Sequence, residues 1–170
     1  LKGARPTSER VRQSLISIIQ NELQDACFVD AYAGSGIVGL EALSRGAKKI
    51  VFIDKNYSNT SLLKKNCSKL RVMSRVKIVK GETPDCFSSI QSLTNCKKII
   101  FFFDPPYSEN QSEYLLSTLG DLVLEVDFVL VIWEHHHKTE ITFEKDDWDL
   151  IRVERYGETQ LTFLRPADSA

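Results

Sequence analysis

The sequence predicts a doubly wound α/β domain, and three observations lead to that prediction. Short apolar runs with little polar alternation recur along the chain, as expected for strands that are buried on both faces of a parallel sheet. Helical stretches separate these runs, and right-handed crossovers then place helices on both sheet faces. Near the end, two strand-like runs flank the turn Gly157-Glu158, which predicts an antiparallel hairpin at one sheet edge.

The predicted elements follow one another in a regular order. Five buried strands and two hairpin strands are predicted at Cys27–Asp30, Ile50–Asp54, Val76–Val79, Ile99–Asp104, Phe128–Trp133, Ile151–Tyr156 and Thr159–Leu164. Helices are predicted around the stripe Val11, Leu15, Ile18 and Ile19 with Thr7 or Ser8 as cap, over Ile37–Arg45 before Gly46, over Tyr57–Leu70, and from Thr83-Pro84. Strand and helix therefore alternate until the hairpin.

Length and composition are those of an ordinary globular domain. The chain has 170 residues, of which 42% are hydrophobic and 26% charged, with a net charge of -1. We expect one domain over residues 1–170, present as a monomer. No apolar run approaches the roughly 20 residues that span a bilayer, so we expect a cytoplasmic protein without membrane contact. The chain begins at Leu1 rather than Met, and we expect that natural residues precede it.

The cysteines and histidines do not predict a metal site. The four cysteines lie far apart and form no C-x-x-C pair, so we expect buried, reduced thiols at Cys27, Cys67, Cys86 and Cys96. The run His135–His137 ends a predicted strand, where successive rings point in different directions. No Cys or acidic residue stands at ligand spacing from it, so no metal is predicted.

Positive charge is concentrated in two segments. One runs without an intervening acid and contains Lys64, Lys65, Lys69, Arg71, Arg75, Lys77 and Lys80. The other is the first dozen residues, with Lys2, Arg5, Arg10 and Arg12 against Glu9 alone. Both patterns are typical of a solvated surface, and both also suit a nucleic-acid backbone. The pattern leaves this choice open.

Polar residues follow the ends of four predicted strands. The segment Asp30–Gly36 follows the first strand, Asp54 ends the second, Gly81-Glu82 follows the third, and Asp104–Tyr107 follows the fourth. Open α/β sheets bind ligands at the carboxyl ends of their strands. We therefore predict one ligand crevice at this edge.

The glycine loop after the first strand predicts a nucleoside-containing cofactor. Gly34, Gly36 and Gly39 match G-x-G-x-x-G, and Asp54 stands twenty residues after Gly34, where a carboxylate binds ribose hydroxyls. Asp30 would repel a dinucleotide's pyrophosphate but attract the ammonium and sulfonium groups of S-adenosylmethionine. The methyl donor is the better fit. The predicted cofactor residues are Asp30, Tyr32, Ala33, Gly34, Ser35, Gly36, Asp54, Lys55 and Glu82.

The segment Asp104-Pro105-Pro106-Tyr107 is the sharpest signal in the sequence. Two prolines hold the turn extended and remove two amide donors, so nearby carbonyls remain free to accept. Acceptors on both hydrogens of a base's exocyclic amine relocalise its lone pair for attack on a methyl group. Asp104 and the Pro105 carbonyl supply such acceptors, and Tyr107 offers a stacking face for an unpaired or flipped base. These four residues are the predicted catalytic group.

These motifs resemble the RsmD-type methyltransferases, which modify the 2-amino group of a guanine in bacterial small-subunit (16S) ribosomal RNA. The resemblance covers nearly the whole chain and rests on the stretches Arg5–Arg12, Asp30–Gly36 with Gly39–Ala42, and Asp104–Tyr107. The last motif occurs in many amino-methyltransferases, whereas the first is more particular to this family.

The resemblance implies a seven-stranded, mostly parallel sheet with an antiparallel last strand. It implies S-adenosylmethionine as cofactor, S-adenosylhomocysteine as product, and 16S rRNA in an assembly particle as partner. It also assigns the substrate-binding residues Arg5, Thr7, Arg10 and Tyr107. The chain departs from the family in lacking most of a basic hairpin before Arg5, and in having Glu82-Thr83 where relatives have Asp or Asn followed by Ala.

Three other functions remain open from the sequence. A DNA adenine amino-methyltransferase would use the same acceptor turn, although no target-recognition domain is visible. A nicotinamide-dependent oxidoreductase would explain the glycine loop alone, but the chain has no room for a substrate domain. A non-catalytic RNA-binding scaffold would not need the intact Asp104.

Overall fold

The protein forms a seven-stranded mixed sheet in a computed structural model that describes residues 7–93, 95–106, 111–123 and 126–168. The strands are β1 (Cys27–Asp30), β2 (Lys49–Asp54), β3 (Val76–Lys80), β4 (Lys98–Phe103), β5 (Phe128–His136), β6 (Trp148–Tyr156) and β7 (Thr159–Pro166). Their order across the sheet is β3-β2-β1-β4-β5-β7-β6. Strands β1 to β5 pair in parallel, whereas β7 is antiparallel to both β5 and β6. The predicted fold is confirmed.

Helices lie on both faces of this sheet. They are α1 (Glu9–Ile18), α2 (Gln20–Leu23), α3 (Ile37–Ser44), α4 (Tyr57–Lys69) and α5 (Ser112–Val123), with 3-10 segments at Met73–Arg75 and Pro84–Leu93. Alternate residues of the central strands point to opposite faces and build two apolar clusters. One packs under α1 to α4, and the other packs under α5 and the second 3-10 segment.

Helix α1 is tied to the rest of the fold at three places. Its buried face, which includes Val11 and Leu15, joins the first apolar cluster. The Arg12 guanidinium donates to the Glu41 carboxylate of α3 at 2.6 Å, and Ser14 hydrogen-bonds the Tyr156 hydroxyl of β6. Because helix and sheet are joined at several points, the residues just before α1 are held over the carboxyl edge of the sheet.

The structure refines several predicted boundaries. Ser8 rather than Thr7 caps α1, since its hydroxyl accepts from the Val11 amide at 3.3 Å. The fifth strand continues to His136, beyond the predicted end at Trp133, because its last residues pair with β7. The segment after Thr83 is a 3-10 helix. Helix α5 is not among the predicted helices, although its leucines at 115, 116 and 119 line one buried face.

The expectation of four reduced cysteines is wrong for one pair. Cys27 and Cys96 form a disulfide with Cα atoms 6.0 Å apart, whereas Cys67 and Cys86 are free and buried. Cys27 opens β1 and Cys96 precedes β4, and these two strands are neighbours in the sheet. The pairing joins residues 69 apart, which sequence spacing alone does not reveal.

None of the described helices is long and apolar enough to cross a membrane.

The packing around two helical glycines yields the first prediction. A Cβ on Gly39 of α3 would meet the buried Phe52 ring at 2.5 Å, whereas a Cβ on Gly120 of α5 would meet nothing within 4 Å. Overpacking of about 1 to 3 kcal/mol should outweigh the helix-propensity gain of about 1 kcal/mol in Gly39→Ala. We expect Gly39→Ala to lower the unfolding free energy by about 1 kcal/mol or more, measured by urea denaturation.

Gly120→Ala is the matched control for that substitution. It should raise the unfolding free energy by up to about 1 kcal/mol, since only helix propensity changes. Equal and positive changes in both variants would show that α3 does not pack against Phe52 as described.

Candidate active site at the carboxyl edge of the sheet

The glycine loop between β1 and α3 is held in a tight, left-handed conformation. Gly34 and Gly36 have φ angles of 53° and 78°, which residues with a Cβ rarely adopt. The Gly34 amide donates to an Asp54 carboxylate oxygen at 2.9 Å, and the Gly36 amide donates to the Ala33 carbonyl at 2.8 Å. The loop is thereby fastened to the end of the neighbouring strand β2.

Asp30 lies at the end of β1 and caps α3. Gly36 precedes α3 and has no side chain to accept its amides, and the Asp30 carboxylate accepts from the Gly39 amide at 3.2 Å instead. Burial is the largest influence on the pKa of Asp30, which rises to about 8. The hydrogen bond from Gly39 lowers this pKa by a smaller amount, and the nearby acids Asp54 and Glu134 raise it further. Asp30 thus has a structural role as a cap whatever ligand it contacts.

The other predicted cofactor residues surround the loop. Asp54 also accepts from the Asn56 amide at 2.8 Å, so its orientation is fixed. The Tyr32 ring lies edge-on to Phe103 with centroids 6.4 Å apart. Ser35 is exposed, and the exposed Lys55 and Glu82 form an ion pair at 3.6 Å. The structure brings the predicted cofactor residues to one edge of the sheet.

Asp104 follows β4 directly and opens the proline turn. Its carboxyl group is largely buried, and burial is the main reason why its pKa rises to about 8. The neighbouring acids Glu134 and then Asp30 raise that pKa further, whereas a hydrogen bond from Thr7 lowers it. Pro105 is half-buried and Pro106 is exposed.

Glu134 is a site residue that the sequence analysis missed. It lies in β5, and because Trp133 pairs with Phe103, Glu134 and Asp104 stand side by side at the ends of adjacent strands. Glu134 is only 8% exposed. We call Asp30, Asp104 and Glu134 the acidic cluster. The signal for Glu134 is the apolar run that precedes it, because a fifth strand predicted one residue longer would have ended at Glu134.

Thr7 contacts this cluster directly. Its hydroxyl lies 2.7 Å from a Glu134 carboxylate oxygen and 3.4 Å from an Asp104 carboxylate oxygen. Thr7 is buried, and Arg10 lies on the exposed side of α1 with its guanidinium 6.0 Å from the Tyr156 ring centroid. The predicted residues Arg5 and Tyr107 lie outside the described residues.

The acidic cluster has the electrostatics of a cation site. Within the described ranges, no Lys or Arg forms an ion pair with any of its three carboxyl groups. Buried carboxylates without a cationic partner are costly, and a positively charged ligand offsets that cost. The arrangement therefore fits a cation bound beside the glycine loop and does not fit an anionic pyrophosphate.

The histidine run is outside this site. His135 is buried, and its ring nitrogens contact the Thr162 hydroxyl at 2.7 Å and the His136 carbonyl at 2.9 Å. Burial lowers the pKa of His135. Among the residues that the structure describes, no group of three or more His, Cys, Asp and Glu could hold a metal ion.

Comparison with known proteins supports the same class of fold. Ribosomal RNA small subunit methyltransferase D of Haemophilus influenzae is 29% identical over 158 residues, covering 92% of this chain and 80% of the relative. A solved Escherichia coli structure is 25% identical with a TM-score of 0.77, covering 98% of this chain and 90% of that one. An RNA methyltransferase from Salinibacter ruber in complex with S-adenosyl-L-homocysteine is 13% identical with a TM-score of 0.67, covering 98% and 96%.

The fold is that of the doubly wound methyltransferases, with the glycine loop and the proline turn at the same sheet edge. The chain belongs to the family described as conserved hypothetical protein 95, whose model matches residues 1–165. The resemblance to the RsmD-type family that the sequence motifs indicated is thereby confirmed.

The pKa of Asp30 yields a prediction on stability. A carboxyl group whose pKa is higher in the folded state stabilises the fold fully below its ordinary pKa of 3.8, and that contribution is lost as pH rises towards about 8. We expect the Tm of the protein to fall between pH 4 and pH 8. The Tm of Asp30→Asn should fall less over this range, and at pH 8 it should lie about 3 °C or more above the Tm of the parent.

The control is Asp149→Asn, on the exposed edge strand β6. Its Tm should follow that of the parent across the same range, measured by differential scanning calorimetry. A Tm difference between Asp30→Asn and the parent that does not change with pH would contradict the assignment.

Proposed function

We propose that this protein transfers a methyl group from S-adenosylmethionine to the 2-amino group of a guanine in small-subunit ribosomal RNA. The observation that carries the proposal is the position of Asp104. Its carboxyl group opens a proline turn and lies beside two other buried acids at the sheet edge that bears the glycine loop. An anionic acceptor next to a cation site suits transfer of a methyl group from a sulfonium to an amine.

The proposed donor site uses residues of three neighbouring strand ends. Asp30 would bind the ammonium group, the loop at Gly34 to Gly36 would lie under the methionine part, and Asp54 would hold the ribose. Lys55 and Glu82 would border the adenine side. When bound, S-adenosylmethionine supplies an electrophilic methyl carbon whose bonding electrons remain on sulfur. The acidic cluster favours its net positive charge.

The proline turn would activate the amine. Asp104 and the Pro105 carbonyl accept the two amine hydrogens, which localises the nitrogen lone pair towards the methyl carbon. As the new nitrogen–carbon bond forms, the nitrogen becomes cationic, and the Asp104 carboxylate stabilises this charge and takes up the released proton. Tyr107 would stack on the target base, which reaches the turn only when unpaired or flipped out.

The relatives favour RNA as the substrate class. The Haemophilus influenzae relative is named for small-subunit ribosomal RNA, and the Salinibacter ruber structure is titled an RNA methyltransferase. The choice of the guanine 2-amino group rests on the resemblance of the motifs. Exposed basic residues on and after α4, at Lys64, Lys65, Lys69 and Arg71, provide a surface for an RNA backbone.

A DNA adenine 6-amino group is the second candidate substrate, because the same acceptor turn would serve it. The two are separated by digesting the product of a labelled-donor reaction to nucleosides. N2-methylguanosine from small-subunit RNA or its assembly particles supports the proposal. Transfer to DNA alone, or no transfer to small-subunit RNA or its assembly particles, overturns it.

Substitution of Asp104 tests the role of the turn. Asp104→Ala should lower the rate of methyl transfer about a hundredfold or more, equivalent to about 3 kcal/mol of transition-state stabilisation. Donor binding should persist, since Asp30, Asp54 and the loop remain. Single-turnover transfer of labelled methyl measures the rate, with Asp149→Ala as the surface control. Equal rates in Asp104→Ala and the parent would show that this carboxylate has no chemical role.

Donor binding should also release protons. At pH 7 the carboxyl groups of Asp30 and Asp104, with pKa values of about 8, are largely protonated, and a bound cation favours their charged forms. Donor affinity should therefore rise as pH rises from about 6 to about 9. Calorimetric binding enthalpies at pH 7 should differ between phosphate and Tris buffers, and differ less in Asp30→Asn. Identical enthalpies in both buffers would contradict a protonated cluster.

A further inference from the structure

The Thr7 hydroxyl bridges two carboxyl groups that the proposed reaction would treat differently. It lies 2.7 Å from Glu134 and 3.4 Å from Asp104. A hydroxyl has one proton to donate, so the two carboxyl groups share it, and the shorter contact, to Glu134, is the stronger hydrogen bond. Thr7 is therefore held between the two carboxyl groups, chiefly by Glu134.

The surroundings of Thr7 make this contact rigid. Thr7 is 7% exposed and Glu134 is 8% exposed. The helix that follows is anchored by the 2.6 Å contact of Arg12 with Glu41 and by its own buried face. Thr7 is thereby fixed beside Asp104 and Glu134.

Glu134 also acts on Asp104 through its charge. Three groups face Asp104 from different parts of the fold, namely Glu134 from β5, Asp30 from β1 and Thr7 from the segment before α1. A nearby negative charge increases the affinity of a carboxylate for a proton, whereas a donated hydrogen bond decreases it. Glu134 and Thr7 therefore act on Asp104 in opposite directions.

We propose that Glu134 and Thr7 are positioning residues for Asp104: Glu134 holds the Thr7 hydroxyl against Asp104 and places a second carboxyl group beside the one that accepts the proton. This inference rests on the proposed function. The proton concerned leaves the newly methylated, cationic amine as its nitrogen–hydrogen bond breaks, and it forms a bond with an Asp104 oxygen. Glu134 contacts neither substrate nor donor in this account.

The pH dependence of kcat separates this role from a purely structural one. Glu134→Gln keeps an acceptor for Thr7 but removes the negative charge. In a plot of kcat against pH, the limb on which kcat rises should therefore move to lower pH. Its plateau kcat should fall about tenfold, while KM for the donor changes less than about threefold. Thr7→Val removes the hydroxyl, and its limb should move to higher pH. Thr7→Ser keeps the hydroxyl and should restore the parent profile.

The control is Glu158→Gln, in the exposed turn between β6 and β7, whose profile should match the parent. Unchanged pH profiles in Glu134→Gln and Thr7→Val would overturn the inference. So would equal losses in Thr7→Ser and Thr7→Val, because the hydroxyl would then be irrelevant.

A measurement independent of activity distinguishes failure of this inference from failure of the proposed function. Carboxyl carbon NMR titration of the free protein should give a lower Asp104 pKa in Glu134→Gln than in the parent. An unchanged Asp104 titration would overturn the inference even if methyl transfer is observed. A shifted titration in a protein that transfers no methyl group would support the coupling and sink the proposed function alone.

Discussion

The burial of three carboxyl groups at one edge of a parallel sheet is the constraint on which the rest of the site depends. Parallel pairing brings the carboxyl ends of β1, β4 and β5 together. Asp104 and Glu134 stand side by side there, and Asp30 lies two residues earlier in register, opposite Phe102. Apolar clusters cover both faces of the sheet next to these carboxyl groups, so water cannot solvate the groups fully. Burial raises the pKa of all three groups, and Asp30 and Asp104, with pKa values of about 8, are largely neutral near pH 7. A bound cation favours their charged forms.

Protonation of the acidic cluster has opposite effects on the stability of the free protein and on its affinity for a cationic donor. Protonation relieves repulsion within the acidic cluster in the free protein, and the same protonation removes the charge that would attract a cationic donor. The cap that Asp30 provides to α3 and the contact of Thr7 with Glu134 hold the groups in place meanwhile. The site is therefore organised before any ligand arrives, at a cost in stability that rises with pH.

Much of this could be predicted from the sequence, because the signals were local. The strand at Cys27–Asp30, the glycine loop and the proline turn each depend on a few adjacent residues. Glu134 escaped prediction because β5 is lengthened by its pairing with β7, a contact between distant segments. The disulfide between Cys27 and Cys96 was missed for the same reason. Sequence patterns report neighbours along the chain, whereas these features depend on neighbours across the sheet.

The most direct test is a crystal structure of the protein soaked with S-adenosylhomocysteine. The ligand should lie over the glycine loop, with its amino group near Asp30, its ribose near Asp54, and its sulfur facing the Asp104 carboxyl group. A ligand bound elsewhere, or an Asp104 side chain directed away from the sulfur, would contradict the proposed role of this site.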